Sequence, residues 1–275
     1  MRDIGLTIFQ GRAGDHNDLA IPGAASLGSA LAQRLSLAMT TVGRPEPPLG
    51  VDWRRELDAA RPGLRALAAR CDAILQQAMV PLTALTRCAA ALATLPVVAR
   101  HRPDALILWL DAHGDLNTPD TTTTGFLGGL PLAGAAGLWQ SGLGSDLDLA
   151  NVILVGARDL DPAELILIRD RKIPLIPPHP ALATALAKAI AGRPVYIHLD
   201  CDVLAPGIVP TDYSVEGGLS LADLRDILAV AAASEVIGME IAEFQNVWEP
   251  GGDPASPAGL IDALEPILAE WVHIS

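Results

Sequence analysis

Short apolar runs rich in β-branched residues alternate along the chain with longer runs dominated by Ala and Leu. The short runs predict strands at 4–9, 105–110, 151–155, 195–199 and 236–241. None of them alternates strictly between apolar and polar positions, which is the pattern of strands covered on both faces. The longer runs predict helices at 26–39, 54–78, 88–100, 162–171, 181–191, 221–233 and 257–272. Ser220 is a good start for the helix at 221: a short acceptor side chain just ahead of it, with Asp223 in its first turn. Strand-then-helix repetition predicts an α/β fold, a mostly parallel sheet with right-handed crossovers. Pro and Gly cluster near 43–50, 174–180 and 250–257, in loops too short to serve as interdomain linkers. One domain over 1–275 is expected.

Four of the predicted strands run toward acids at their carboxyl ends. The strand at 106–110 meets Asp111; 152–155 is followed by Gly156, Asp159 and Asp161; 196–199 meets Asp200 and Asp202; 237–241 leads to Glu243. In open parallel sheets these ends converge on one edge, and ligands bind there. Carboxylates gathered at one place repel each other unless a cation holds them, so the edge predicts a metal site. In Asp111-Ala112-His113-Gly114-Asp115, extended chain would put residues 111, 113 and 115 on one face. Asp200-Cys201-Asp202 would do the same for two more carboxylates. Four carboxylates and an imidazole suit a hard or borderline divalent ion. Acids often follow strands only because turns favour Asp; a second cluster of the same spacing at another strand end favours the metal reading.

Composition narrows the partners. Nineteen Lys and Arg against 32 Asp and Glu leave a formal charge of −13 and no basic run, which disfavours nucleic acid. A chain that is 50% hydrophobic is not disordered. The weakly charged stretch 121–145 carries Thr, Gly and Pro131, so it reads as loop and short helix, and no membrane span is expected. Cys71, Cys88 and Cys201 are too few and too odd for a disulfide framework, and no basic segment followed by an apolar run opens the chain. A cytoplasmic location is expected.

DAHGDLNTPDTTTTG at 111–125 resembles the signature of the arginase (ureohydrolase) family, and HLDCDVLAPGIVPTD at 198–212 is similar to its second metal motif, with Ala-Pro where Asp-Pro is common. GARDLD at 156–161 and MEIAEFQ at 239–245 fall in the family's order, and the likeness spans roughly residues 80–272. The resemblance implies a three-layer α/β/α sandwich on a mostly parallel sheet, two manganese ions, and hydrolysis of guanidinium-type C–N bonds. Carried over by position, it implies Asp111 and Asp200 as bridging ligands, Asp115 completing one ion, and His113 and Asp202 the other. It implies two catalytic acids: Asp115 to accept a proton from water, and Glu243 to pair with the substrate's cationic head. Asn117 and Thr124 match positions that hold a substrate carboxylate, and Asp161 matches one that faces its amino group.

The chain departs from that family at four places. Cys88 stands where a ligand His is usual; at a predicted helix start its thiol pKa is expected to fall, keeping it a metal ligand. Gly128 replaces the His that serves arginases as general acid/base, Phe126 replaces an Asn, and Tyr196 replaces a His. Losing a general acid/base costs about 10²–10⁴-fold, and a weakly basic N-hydroxylated guanidine depends on it less than arginine does. The Cys and Gly together resemble the branch of the family that serves antibiotic biosynthesis, which implies N-omega-hydroxy-L-arginine as substrate and hydroxyurea and L-ornithine as products. Alternatives are arginase, agmatinase or another guanidino-compound hydrolase and, in a different class, a metal-free non-catalytic relative. Metal content separates the classes. The expected partner is a small guanidino amino acid. The last predicted helix ends just before residue 275, and a monomer is expected. His16, His101, His179, His198 and His273 are expected to be structural or at the surface, with His198 open to a supporting role beside Asp200.

Overall fold

The structure, a computed structural model, describes residues 2–273; the side chain of His273 lies outside what is described. In chain order the elements begin with β1 (Ile4–Phe9), α1 (Ala20–Leu35), β2 (Met39–Val42) and α2 (Trp53–Gln76). They continue through β3 (Val80–Ala84), α3 (Ala91–His101), β4 (Leu106–Leu110), α4 (Pro131–Ala135), β5 (Val152–Val155), α5 (Pro162–Arg171) and β6 (Leu175–Ile176). The last are α6 (Leu182–Ile190), β7 (Val195–Asp200), α7 (Leu221–Ala232), β8 (Val236–Ala242), α8 (Ala258–Ala263) and α9 (Glu265–His273). The strands form one sheet in the order β2-β1-β3-β8-β7-β4-β5-β6, and every pairing is parallel.

Strand side chains alternate between two apolar layers, so both faces need helices. Leu106, Leu108 and Leu110 of β4 face one core, shared with Leu27 of α1, Leu186 of α6, Leu228 of α7 and Trp271 of α9. Ile107 and Trp109 face the other, shared with Leu64 of α2, Leu92 of α3 and Ile168 of α5. This is the three-layer α/β/α sandwich, and it explains why the central strands read as continuous apolar runs. A fully buried Leu stabilises such a layer by about 1.5–3 kcal/mol. No helix among the described residues is long and apolar enough to cross a membrane.

All five predicted strands form, with ends shifted by a residue at most. Three strands escaped the sequence pattern. β2 and β6 are short edge pieces of four and two residues. β3 is central yet contains Pro81. Val80 donates its N–H to Asp3 of the chain leading into β1, so Pro81 faces β8, whose pairing with β3 begins only at Leu82. Gly238 makes room there, since a Cβ on it would lie 2.8 Å from Pro81 Cγ.

The helix at 26–39 runs instead from Ala20 to Leu35, stopping where Ser36 turns left-handed at φ 54°. The helix at 257–272 is two. Pro266 has no N–H for the Asp262 carbonyl, and Arg225 Nη1 donates to that oxygen at 2.8 Å instead. The segment 121–145 is loop around the short α4, as expected.

Candidate metal centre

The four adjacent strands β3, β8, β7 and β4 end on the same edge. Each delivers some of the site's residues: Cys88 after β3, Glu243 after β8, Asp200 and Asp202 from β7, and Asp111, His113 and Asp115 after β4. They gather by turning rather than by extended alternation, which corrects the geometry expected from spacing. Asp111 Oδ1 accepts the His113 N–H at 2.7 Å, folding the imidazole back over the carboxylate. Asp200 Oδ1 accepts the Asp202 N–H at 2.7 Å and opens a 3₁₀ turn at Cys201–Val203. The two turns interlock where Asp202 Oδ1 accepts the Ala112 N–H at 3.0 Å.

Three overlapping groups result, each with its donor atoms within 4.8 Å of one another: Asp111, His113 and Asp202; Cys88, Asp200 and Glu243; Cys88, Asp111 and His198. His113 Nδ1 lies 3.0 Å from Asp202 Oδ2 and 3.3 Å from Asp111 Oδ1. Cys88 Sγ lies 2.8 Å from Asp200 Oδ2 and 4.0 Å from Asp111 Oδ2. Asp115 is buried on the wall of the same cavity of about 240 Å³ but belongs to none of the three groups. Asp115 and Glu243 both hold left-handed backbone, φ 50° and 65°, a strain kept where the surroundings over-determine it. For Asp115 those surroundings are the Leu132 and Ala133 N–H groups, which donate to its carbonyl at 3.1 and 3.2 Å.

Electrostatics favour a cation here. Burial, with Asp202 next to it, pushes Asp111 up to about 6. Burial and neighbouring carboxylates push Asp115 and Asp200 well above the carboxylate range. Burial works against charge on His113, but its bonds to Asp111 and Asp202 outweigh that and push it up. Hard oxygens around His113 and a thiol beside Asp200 fit divalent ions, which would relieve the repulsion.

Cys88 departs from the expected low thiol pKa. It opens a short 3₁₀ turn, its N–H is taken by Glu243 Oε1 at 2.9 Å, and burial with Asp200 close by pushes the thiol well up. Behind it stands His198, for which the sequence offered no more than a supporting role. Its Nε2 lies 3.1 Å from Cys88 Sγ, its Nδ1 2.7 Å from Glu240 Oε1, and its ring stacks on Trp109 at 3.6 Å. Tyr196 closes this buried chain by donating to Glu240 Oε2 at 2.9 Å. The signal available in the sequence was a polar His inside an otherwise apolar strand.

Glu243 is less free than expected. Its Oε2 accepts from Arg87 Nη1 at 2.8 Å. Burial pushes Glu243 up to about 7 although Arg87 works against it. Arg87 has no counterpart among the sequence expectations.

The substrate-end residues meet on one wall. Asn117 donates to Asp161 Oδ2 at 2.7 Å and accepts from Thr121 Oγ1 at 3.0 Å, and Thr124 lines the same cavity. Asp161 caps α5 in a capping box with Glu164, whose Oε1 also accepts the Leu116 N–H at 2.9 Å. Asp-Pro-Ala-Glu carried that capping signal in the sequence. At Gly128 a Cβ would lie 2.3 Å from Phe126 Cε1. The aromatic ring therefore fills the space that a side chain at 128 would need.

Fold and site together are those of a ureohydrolase, an enzyme acting on linear amidines. More particularly, the chain belongs to the arginase family, whose sequence pattern matches residues 31–258. It is 40% identical over 263 residues, 96% of each chain, to the N(omega)-hydroxy-L-arginine amidinohydrolase of Streptomyces lavendulae. It is 28% identical over 221 residues, 74% of each chain, to the arginase of Bacillus caldovelox. Among solved structures, arginase from Bacillus subtilis has the same fold, with TM-score 0.81 at 22% identity over 100% of this chain and 99% of that one.

Proposed function

We propose that this chain hydrolyses N-omega-hydroxy-L-arginine to hydroxyurea and L-ornithine with two manganese ions. The observation that carries the reading is the Phe126 ring over Gly128: the position of the arginases' acid/base is packed shut. A substrate that needs less help protonating its leaving group suits such a site. Arg87 points the same way. It already balances Glu243, so less negative charge is left for a strongly cationic guanidinium, and a weakly basic N-hydroxyguanidine fits better. The relative from S. lavendulae bears the name of that activity.

Asp111, Asp200, Asp115, Cys88, His113 and Asp202 would hold the ions. Bound there, the ions would lower the pKa of a water and supply the nucleophile at neutral pH. Asp115, buried on the cavity wall, is placed to accept a proton from the attacking water. Glu243, pinned by Arg87, orients the guanidino head. Asn117 and Thr124 hold the α-carboxylate, and Asp161 faces the α-amino group.

Manganese-loaded protein given arginine and N-omega-hydroxy-L-arginine separately, with urea and hydroxyurea assayed, tests the reading. Hydroxyurea should form much faster than urea. Urea formed equally fast or faster would return the chain to the plain arginases.

Phe126 and Gly128 should behave as one unit. Gly128→His alone is expected to overpack against Phe126, costing about 1–3 kcal/mol and most of the activity. Gly128→His with Phe126→Asn should recover the stability and raise the urea rate relative to hydroxyurea. Thermal melts and the two product assays on both variants check this.

A further inference from the structure

With residue 128 a glycine, the leaving amine needs its proton from elsewhere, and the cavity mouth holds a device for it. Tyr213, in the loop after β7, lines the cavity alongside His113, Asp202 and Glu243. Its hydroxyl lies 3.1 Å from Nδ1 of His16, which comes from the loop between β1 and α1. His16 in turn stacks on Phe126, with ring centroids 4.0 Å apart and planes 26° apart. The ring that shuts out a side chain at 128 is thus the one that seats an imidazole from another loop.

We propose that His16, working through the Tyr213 hydroxyl, delivers the proton to the leaving amine. The proposal rests on the ureohydrolase reading of the site. His16 keeps 44% of its side chain exposed, so it exchanges protons with solvent, while the Tyr213 phenol reaches the cavity. The groups facing His16 are the Tyr213 hydroxyl, the Phe126 ring and the Asp212 carboxylate, whose Oδ2 is 3.7 Å from Nδ1. Arg87 Nη1 at 3.0 Å and Asn17 Nδ2 at 2.8 Å also donate to the Asp212 carboxylate and hold it beside His16.

The step balances. The oxygen of water bonds to the guanidino carbon, and one water proton passes to Asp115. The bond from that carbon to the chain nitrogen breaks, and its electron pair stays on nitrogen. That nitrogen takes the Tyr213 O–H proton as the Tyr213 oxygen takes the His16 Nδ1–H proton. His16 regains a proton from solvent and Asp115 releases one, so both end as they began. Tyr213 is a neutral phenol before and after, and His16 acts on the substrate only through it.

Steady-state kinetics of manganese-loaded His16→Ala, Tyr213→Phe and the double variant on N-omega-hydroxy-L-arginine test the relay. Each single change is expected to lower kcat about 10²-fold and leave KM within about two-fold, and the double should be no worse than the worse single. Imidazole in solution should restore much of kcat to His16→Ala and none to Tyr213→Phe. His16→Gln, which keeps the size of the side chain, should be as slow as His16→Ala. A merely structural roof predicts higher KM, additive losses and no rescue; that pattern, or wild-type kcat in His16→Ala, overturns the relay. Wild-type protein inert toward both arginine and its N-hydroxy form overturns the functional reading, and the relay with it.

Discussion

Asp200→Asn should abolish hydrolysis, by at least about 10³-fold, while making the metal-free protein no less stable than the wild type. Both halves come from the same geometry. Asp200 Oδ2 lies 2.8 Å from Cys88 Sγ, and burial with Asp202 and Asp111 beside it makes its ionised form costly. An amide has the same shape and removes that repulsion. Its oxygen can still accept the Asp202 N–H that now donates to Oδ1 at 2.7 Å, so the 3₁₀ turn survives. What is lost is the charge that would tie a cation to both the Cys88 side and the Asp111 side of the site.

Melting curves with and without manganese give the readout. Wild-type protein should gain stability on adding the metal, about 2.7 kcal/mol at a hundred-fold excess over Kd. Asp200→Asn should gain much less, and a chelator should bring the wild type down to its metal-free melting point. An Asp200→Asn protein that keeps its metal-induced gain and its activity would contradict the placement of the ions.

The sequence carried the sheet's interior and the acids at its edge. Strands buried on both faces announce themselves as apolar runs, so β4 and β7 were legible, and with them Asp111 and Asp200. β3 was not, because Pro81 is a strand-breaking signal wherever both neighbours need the N–H, and only the register with β8 shows that one does not. Losing β3 also hid why Cys88 arrives at the site. Asp111, His113, Asp200 and Asp202 were picked out by short spacings, though the physical reason for their meeting differed: turns capped by Asp111 and Asp200 bring them together. Groups that meet across long separations left no spacing to read. His198 faces Cys88 from 110 residues away, and Tyr213 meets His16 from 197. Phe126 and Gly128 were legible as departures, while their fit to each other needed coordinates.

Arg87 is the largest of these hidden contributions, and Arg87→Met should be the most destabilising single change of those considered. Its guanidinium is 1% exposed and donates to Asp15 at 3.0 Å, Asp212 at 3.0 Å and Glu243 at 2.8 Å, with Asn17 accepting from Nη2 at 3.2 Å. Three carboxylates from three loops are thereby held around one cation. Removing one partner of a buried ion pair typically costs about 3–5 kcal/mol, because the charge left behind has lost both its partner and its water.

For a chain of this size each kcal/mol shifts Tm by roughly 2–4 °C, so a fall of about 10 °C is expected by calorimetry. Arg87→Lys should fall by less and still be impaired, since a point charge cannot reproduce a planar fork that reaches three acids at once. If the acids are what make the loss large, Asp15→Asn added to Arg87→Met should recover some of it, a coupling that a double-mutant cycle reads directly. A Tm for Arg87→Met within about 2 °C of the wild type would mean that these carboxylates find water or protons at little cost. In that case Arg87 would matter through the aim of Glu243 alone, and its replacement would raise KM without moving the melt.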